Sequence, residues 1–301
     1  MDIPTLETKN FTPWQSPSPF GYKLAGYKRQ ACSNEKRIHL LHGTGFSALT
    51  LAEMARNLPP SWNVYMTDLP GHGRSEQPSH RMPDWQEMAS AIYAVIAEQM
   101  RIKDNGPIIG IGHSLGGVLT LMAAAQHPEY FKRVILLDPP IFNRPVLTIQ
   151  KVLRKTQLWH HSPIVKSVMN RRSHWQNIEQ MKTYLAEKAL YRHWQPEVLE
   201  DFCHSATTAT ENGIKLACNP HWEGAIFGSY PRGLWQKIKK VGVKVDIVTA
   251  SKSYSFIKPS VDKAVRLNSA INVHSFGHRH CFPMEQPQKT AEFIQQSLKL
   301  G

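Results

Sequence analysis

Cysteine is scarce in this 301-residue chain. Cys32, Cys203, Cys218 and Cys281 stand far apart with no C-x-x-C spacing. That excludes a disulfide framework and suits reduced thiols in a cytoplasmic protein. Nowhere does an uninterrupted apolar run approach the ~18 residues that a membrane span requires. The start, Met1-Asp-Ile-Pro-Thr-Leu-Glu-Thr-Lys, lacks a basic stretch followed by an apolar core, so no signal peptide is expected. Internal repeats, low-complexity segments and recognised nucleic-acid motifs are all absent. No Lys/Arg block is longer than a few residues, which leaves nucleic acid without a footprint.

What is present is an ordinary globular composition, 41% hydrophobic and 20% charged, long enough for one large α/β domain or two smaller ones. The unusual bulk property is a net charge of +13. Such a surplus can serve nucleic acid, an anionic membrane surface or acidic substrates. Much of it falls between residues 144 and 240. It reads first as a solvated basic face, then as a preference for acidic substrates, and last as nucleic-acid binding.

One short stretch organises the rest. Pro107 to Ile111 is an isoleucine-rich run of strand length, and Leu115 to Gln126 is a Leu/Met/Ala-rich helix. Between them Gly112-His113-Ser114-Leu115-Gly116 forms a G-x-S-x-G turn. Glycines are needed where the strand and helix backbones approach, because a Cβ would clash. The turn lifts the Ser114 hydroxyl out of the sheet at a helix N-terminus, whose free N–H groups favour a developing oxyanion. Ser114 is therefore the expected nucleophile, against the alternative of a serine that merely tightens a turn.

Around this stretch strands and helices alternate. Residues 1–20, with four prolines, read as an extended lead-in. Phe20 to Arg29 offers one or two antiparallel edge strands. Strands follow at Arg37–Leu41, Trp62–Thr67 and Arg133–Leu137, with helices at about Ala48–Asn57 and from Pro83-Asp84 onward, the latter showing Trp85, Met88, Ile92, Val95 and Ile96 on one face. From about Ile141 to Lys240 the pattern shows helices and no clear strand. Strands then return at Val243–Ala250 and Ile271–Phe276, with helices at Pro259–Leu267 and from about Gln286, the last carrying Phe293, Ile294 and Leu298. This rhythm predicts an α/β protein with a mostly parallel, doubly wound sheet. The core is expected to comprise residues 1–140 and 241–301, interrupted by a helical insertion at 141–240.

Four ordered landmarks now stand out: His42-Gly-Thr-Gly45, Asp68-Leu-Pro-Gly-His-Gly-Arg-Ser75, Gly112-His-Ser-Leu-Gly116, and Gly277-His-Arg-His-Cys-Phe-Pro-Met-Glu-Gln-Pro287. Along nearly its whole length the chain resembles the α/β-hydrolase superfamily. The resemblance implies that the insertion is a cap over the active site. It implies an oxyanion hole made by the backbone N–H of Leu115 and of Thr44, or of Gly45 or Phe46 if the loop is shifted. It also implies a histidine base after the last strand. His280 lies five residues before Glu285 and is favoured, with His278, directly after Gly277, as the alternative base. The H-x-H-C run there lacks carboxylate partners, so no metal is expected; no cofactor is implied either. The loop Ser251-Lys-Ser-Tyr-Ser-Phe-Ile-Lys258, where most members carry the triad acid, contains no carboxylate. Some members place the acid after the strand that follows the nucleophile helix, which here points to Asp138. Asp246 and Asp262 are poorer candidates, and a dyad without an acid is the remaining option.

In the insertion, Trp159, Trp175, Trp194 and Trp222 could line an apolar acyl or alcohol site, and a buried arginine among Arg171, Arg172 and Arg192 could select a carboxylate. The alternative is that the tryptophans are packing core and the arginines are solvated. The expected activity is a serine hydrolase acting on a small-molecule carboxylic ester or related acyl bond. Two other classes compete. Gly43-Thr-Gly-Phe-Ser-Ala48 satisfies G-x-G-x-x-A, with Asp68 placed like a ribose-binding acid of a dinucleotide-dependent oxidoreductase. The missing acid loop would also suit a non-catalytic ligand-binding protein on a hydrolase scaffold. Oligomeric state is not encoded in any pattern found.

Overall fold

A computed structural model describes residues 10–31, 35–79 and 84–299. Cys32, Pro83 and the first nine residues of the expected lead-in lie outside these ranges. The chain opens with strands β1 (Thr12–Pro17) and β2 (Lys23–Arg29), then β3 (Arg37–Leu41), a short 3-10 turn into helix α1 (Ala52–Arg56), and β4 (Asn63–Thr67). Helices α2 (Trp85–Gln99) and α3 (Ile102–Asn105) precede β5 (Ile108–His113), α4 (Leu115–Gln126) and β6 (Phe131–Leu137). The insertion holds α5 (Arg144–Lys155), α6 (Pro163–Met169), β7 (His174–Trp175), α7 (Ile178–Ala186), α8 (Pro196–Ser205), β8 (Thr207–Thr210), β9 (Gly213–Leu216), α9 (Pro220–Phe227) and α10 (Leu234–Lys240). The chain closes with β10 (Lys244–Lys252), α11 (Ile257–Leu267), β11 (Ile271–Arg279), α12 (Phe282–Glu285) and α13 (Pro287–Lys299).

Eight strands form one sheet in the order β1-β2-β4-β3-β5-β6-β10-β11. β1, β2 and β4 pair antiparallel, and every pairing from β4 to β11 is parallel. This is the α/β-hydrolase fold, with helices on both faces. Along β6, Val134 and Leu136 pack into one buried cluster with α2 and α4, while Ile135 and Leu137 pack into a second with α1 and α13. Both faces being covered, the central strands are buried along nearly their whole length and read as mostly apolar runs, such as Val134–Leu137 of β6, without an alternation.

Two expectations need correction. The first edge strand lies at Thr12–Pro17, inside the proline-bearing stretch read as a lead-in. Prolines are tolerated there because, among the described residues, β1 has no neighbour on its outer side to receive a ladder bond. The insertion is not strand-free: β7, β9 and β8 make a small antiparallel sheet. Strands of two to four residues are too short to leave a period-two signal. Among the described residues no helix is long and apolar enough to cross a membrane.

Candidate active site

The site is built at the C-terminal ends of β3, β5, β6, β10 and β11. Ser114 follows β5 with φ 52° and ψ −123°, a strained conformation for a residue with a side chain. Its backbone is pinned by a hydrogen bond from Ser114 N–H to Leu137 O, 2.9 Å. A Cβ on Gly112 would stand 2.3 Å from Gly116 O, and one on Gly116 would stand 2.2 Å from Leu41 O. Strand and helix therefore close to this distance only with glycine at both positions.

His280, just past β11, places Nε2 3.1 Å from Ser114 Oγ and Nδ1 2.6 Å from Asp138 Oδ2. Asp138 follows β6 in a left-handed conformation (φ 47°) and is fully buried. Its other oxygen, Oδ1, accepts the Ala250 N–H at 2.9 Å. Oδ2 also accepts a short hydrogen bond from the Ser253 hydroxyl. The loop without a carboxylate thus contributes a hydroxyl and a backbone donor to a carboxylate carried by the neighbouring strand. Ser253 was not singled out by the sequence, and nothing local could have marked it, because a serine in a loop has no pattern until its partner is known.

The structure brings His280, and not His278, to Ser114. His278 lies on β11 with its ring 5.7 Å from that of Phe276. Asp246 is engaged elsewhere, with Arg133 Nε at 2.6 Å and His274 Nε2 at 2.8 Å. Asp262 is half-buried on α11 and faces Lys258.

The loop after β3 passes directly over the nucleophile: a Cβ on Gly43 would stand 3.0 Å from Ser114 Cβ. Gly45 N–H donates to His72 Nε2 at 3.0 Å and Phe46 N–H to Gly43 O at 3.3 Å, so neither points free into the site. Thr44 N–H has no hydrogen-bond partner among the described residues. The Leu115 N–H is the first of the unpaired donors that open α4.

Three buried histidines brace the site, two of them at this loop. His42 Nδ1–H donates to Gly43 O (2.8 Å) and its Nε2 accepts from Leu69 N–H (2.9 Å). As Nε2 is an acceptor, its 3.9 Å approach to Asp68 is not an ion pair. His72 Nδ1–H donates to Pro70 O while Nε2 accepts from Gly45, and burial pushes its pKa down to about 4. His113 reaches the His280 carbonyl at 2.9 Å through Nε2, which must be the donor. Burial, then the nearby His280, pushes the His113 pKa down to about 3. Asp68 is consumed as a cap: it accepts from Ala48 N–H (2.7 Å) and Arg74 N–H (3.0 Å). Buried and turned inward, it is not available to a ribose, and the dinucleotide reading fails on that residue.

In the insertion, Trp175, Trp194 and Trp222 are buried as packing core, and Trp159 is half-buried beneath the Arg154 guanidinium, 4.8 Å from its ring centre. Arg171 is largely buried, but Glu223 Oε2 holds its guanidinium at 2.7 Å. It is therefore not free to select a substrate carboxylate. Phe46, beside the loop over Ser114, packs on Trp194 with ring centres 5.1 Å apart.

The model of the alpha/beta hydrolase fold family matches residues 36–191, more than half of the chain. The chain belongs to that family. It is 33% identical over 101 residues to a pimeloyl-[acyl-carrier protein] methyl ester esterase of Neisseria meningitidis, covering 34% of this chain and 29% of that protein. It is 26% identical over 125 residues to the mouse monoglyceride lipase, covering 41% of each. These matches span well under two thirds of either relative. Among solved structures, the thioesterase domain from the curacin biosynthetic pathway superposes with a TM-score of 0.75 at 16% identity, covering 95% of this chain and 99% of that one.

Proposed function

We propose that this chain is a serine hydrolase that cleaves a carboxylic ester or a related acyl bond, such as a thioester or lactone, through an acyl-enzyme on Ser114. The observation that carries the reading is the unbroken line from Asp138 Oδ2 through His280 to Ser114 Oγ. Asp138 accepts the Nδ1 proton and leaves Nε2 as the acceptor that faces Ser114. As Oγ bonds to the substrate carbonyl carbon, its proton passes to Nε2. The N–H groups of Leu115 and Thr44 receive the oxyanion. Collapse breaks the acyl–oxygen or acyl–sulfur bond, and the leaving group takes the proton from His280. Water then repeats the sequence, releasing the acid and restoring Ser114. Water is the sole co-reactant.

The relatives named as an esterase and a lipase support the class of bond. Residues 1–140 and 241–301 act as the core and residues 141–240 as a cap, a division supported by the Trp194–Phe46 contact above the nucleophile. Three described cysteines, all buried and unpaired, suit a cytoplasmic setting. The substrate is a small molecule, and no nucleic acid takes part.

A fluorophosphonate probe tests the nucleophile. The expected result is one adduct, on the Ser114 peptide, absent from Ser114→Ala. A folded wild-type protein that takes no label would overturn the reading in favour of a non-catalytic ligand-binding protein.

A further inference from the structure

Helix α5 has apolar residues on opposite sides. Val146, Leu147 and Leu153 are half-buried, and Leu147 packs against the core cluster shared with α2 and α4. On the outer side Ile149 and Val152 are 59% and 54% exposed, one turn apart on the same face. A surface helix ordinarily turns polar residues outward, which leaves this face without an explanation in the folded chain. In the adjoining turn and α6, Leu158 and Ile164 are likewise 47% and 49% exposed. Lys151 and Lys155 flank the aliphatic pair and are exposed, as are Arg144 and Lys166. From residue 139 to residue 178 the sequence contains no Asp or Glu. This stretch supplies seven Lys and Arg with no acid to offset them, a large part of the surplus behind the +13 net charge.

We propose that this face of the insertion docks on an anionic lipid surface, with Ile149, Val152, Leu158 and Ile164 entering the headgroup boundary and the surrounding cations meeting lipid phosphates. Exposed aliphatic groups ringed by Lys and Arg are what such an interface needs: apolar area for burial and opposite charge for attraction. Charge complementarity selects lipid over a second copy of the chain, which would bring cations against cations. It also selects lipid over nucleic acid, whose phosphates would find the cations but offer nothing to the aliphatic side chains. The helix that carries the face is rooted near the candidate site. Phe142, at the root of α5, stacks on Phe256, which stacks on Tyr254, whose ring lies 5.1 Å from His280. The inference concerns binding alone and stands whether or not Ser114 is a nucleophile.

Cosedimentation of the purified chain with vesicles of phosphatidylcholine, with and without phosphatidylglycerol, reads the docking directly. Binding is expected to the anionic vesicles and to weaken as salt is raised. Lys151→Gln/Lys155→Gln should lower partitioning on the order of twentyfold, at roughly fivefold for each cation. Ile149→Ser/Val152→Ser should lower it about tenfold or more, since two buried aliphatic side chains are lost. All four positions are exposed, and an unchanged melting curve for each variant verifies folding. Absence of binding to anionic vesicles, equal binding to both vesicle types, or variants that bind like wild type would overturn the proposal. So would tighter binding to a nucleic-acid homopolymer, or a dimer in light scattering that Ile149→Ser/Val152→Ser dissociates.

Discussion

Asp138 and Asp246 each meet a histidine from the last strand or the turn beyond it, at 2.6 Å and 2.8 Å, and both carboxylates are buried. Their other partners separate them. Asp246 lies within β10, clamped by the Arg133 guanidinium from β6, which also reaches the Ser297 carbonyl and hydroxyl of α13. That pair ties sheet to helix and is complete. Burial alone would raise the Asp246 pKa, but hydrogen bonds from Arg133 and His274 outweigh it and hold the carboxyl below its ordinary range. Asp138 stands past the end of β6, where no Lys or Arg among the described residues reaches it and its histidine partner is His280. Its remaining bonds come from neutral groups, Ala250 N–H and Ser253 Oγ. An aspartate with a permanent cation is a strut; one that faces a histidine and a free hydroxyl can respond to a moving proton.

The comparison breaks most sharply at Asp138. In the proposed mechanism Asp138→Asn keeps the shape but can present an N–H₂ where Nδ1–H needs an acceptor. The loss in kcat for ester hydrolysis is expected to reach roughly 10⁴-fold. A change within a few-fold would reduce Asp138 to a strand end. His280→Ala should likewise cost several orders of magnitude, against tenfold or less for His278→Ala. The reverse order in the two purified variants would move the base to His278.

Asp246→Asn should divide the other way. It leaves the Arg133 cation buried without its counter-charge, a loss of about 3–5 kcal/mol in unfolding free energy by denaturant titration. The kcat of the surviving folded protein should stay within a few-fold of wild type. A loss of activity with stability intact would show that the two aspartates are coupled.

The smallest effect is expected at Ser253. Ser253→Ala removes one of three donors to Asp138 and should lower kcat about tenfold or less. A kcat equal to that of wild type, measured on the purified variant, would make Ser253 a packing residue only.

Much of the fold was legible because its signals are local. Buried strands such as β5 and β6 are short isoleucine- or leucine-rich runs, α4 is a continuous helix former, and the glycines at 112 and 116 mark the only kind of residue that fits their backbone approach. These determined the sheet, the elbow and the position of Ser114 before any contact was known. Pairing across long separations was beyond the sequence. Spacing left His278 and His280 both open, and only the end of β11 at Arg279 decides which ring turns back to Ser114, 166 residues away in the chain. The same holds for the hydroxyl that Ser253 lends to Asp138 and for the Glu223 that neutralises Arg171. Local propensity and backbone sterics are written residue by residue, whereas the partner of a buried polar group is chosen by whichever distant segment the packing brings within hydrogen-bond reach.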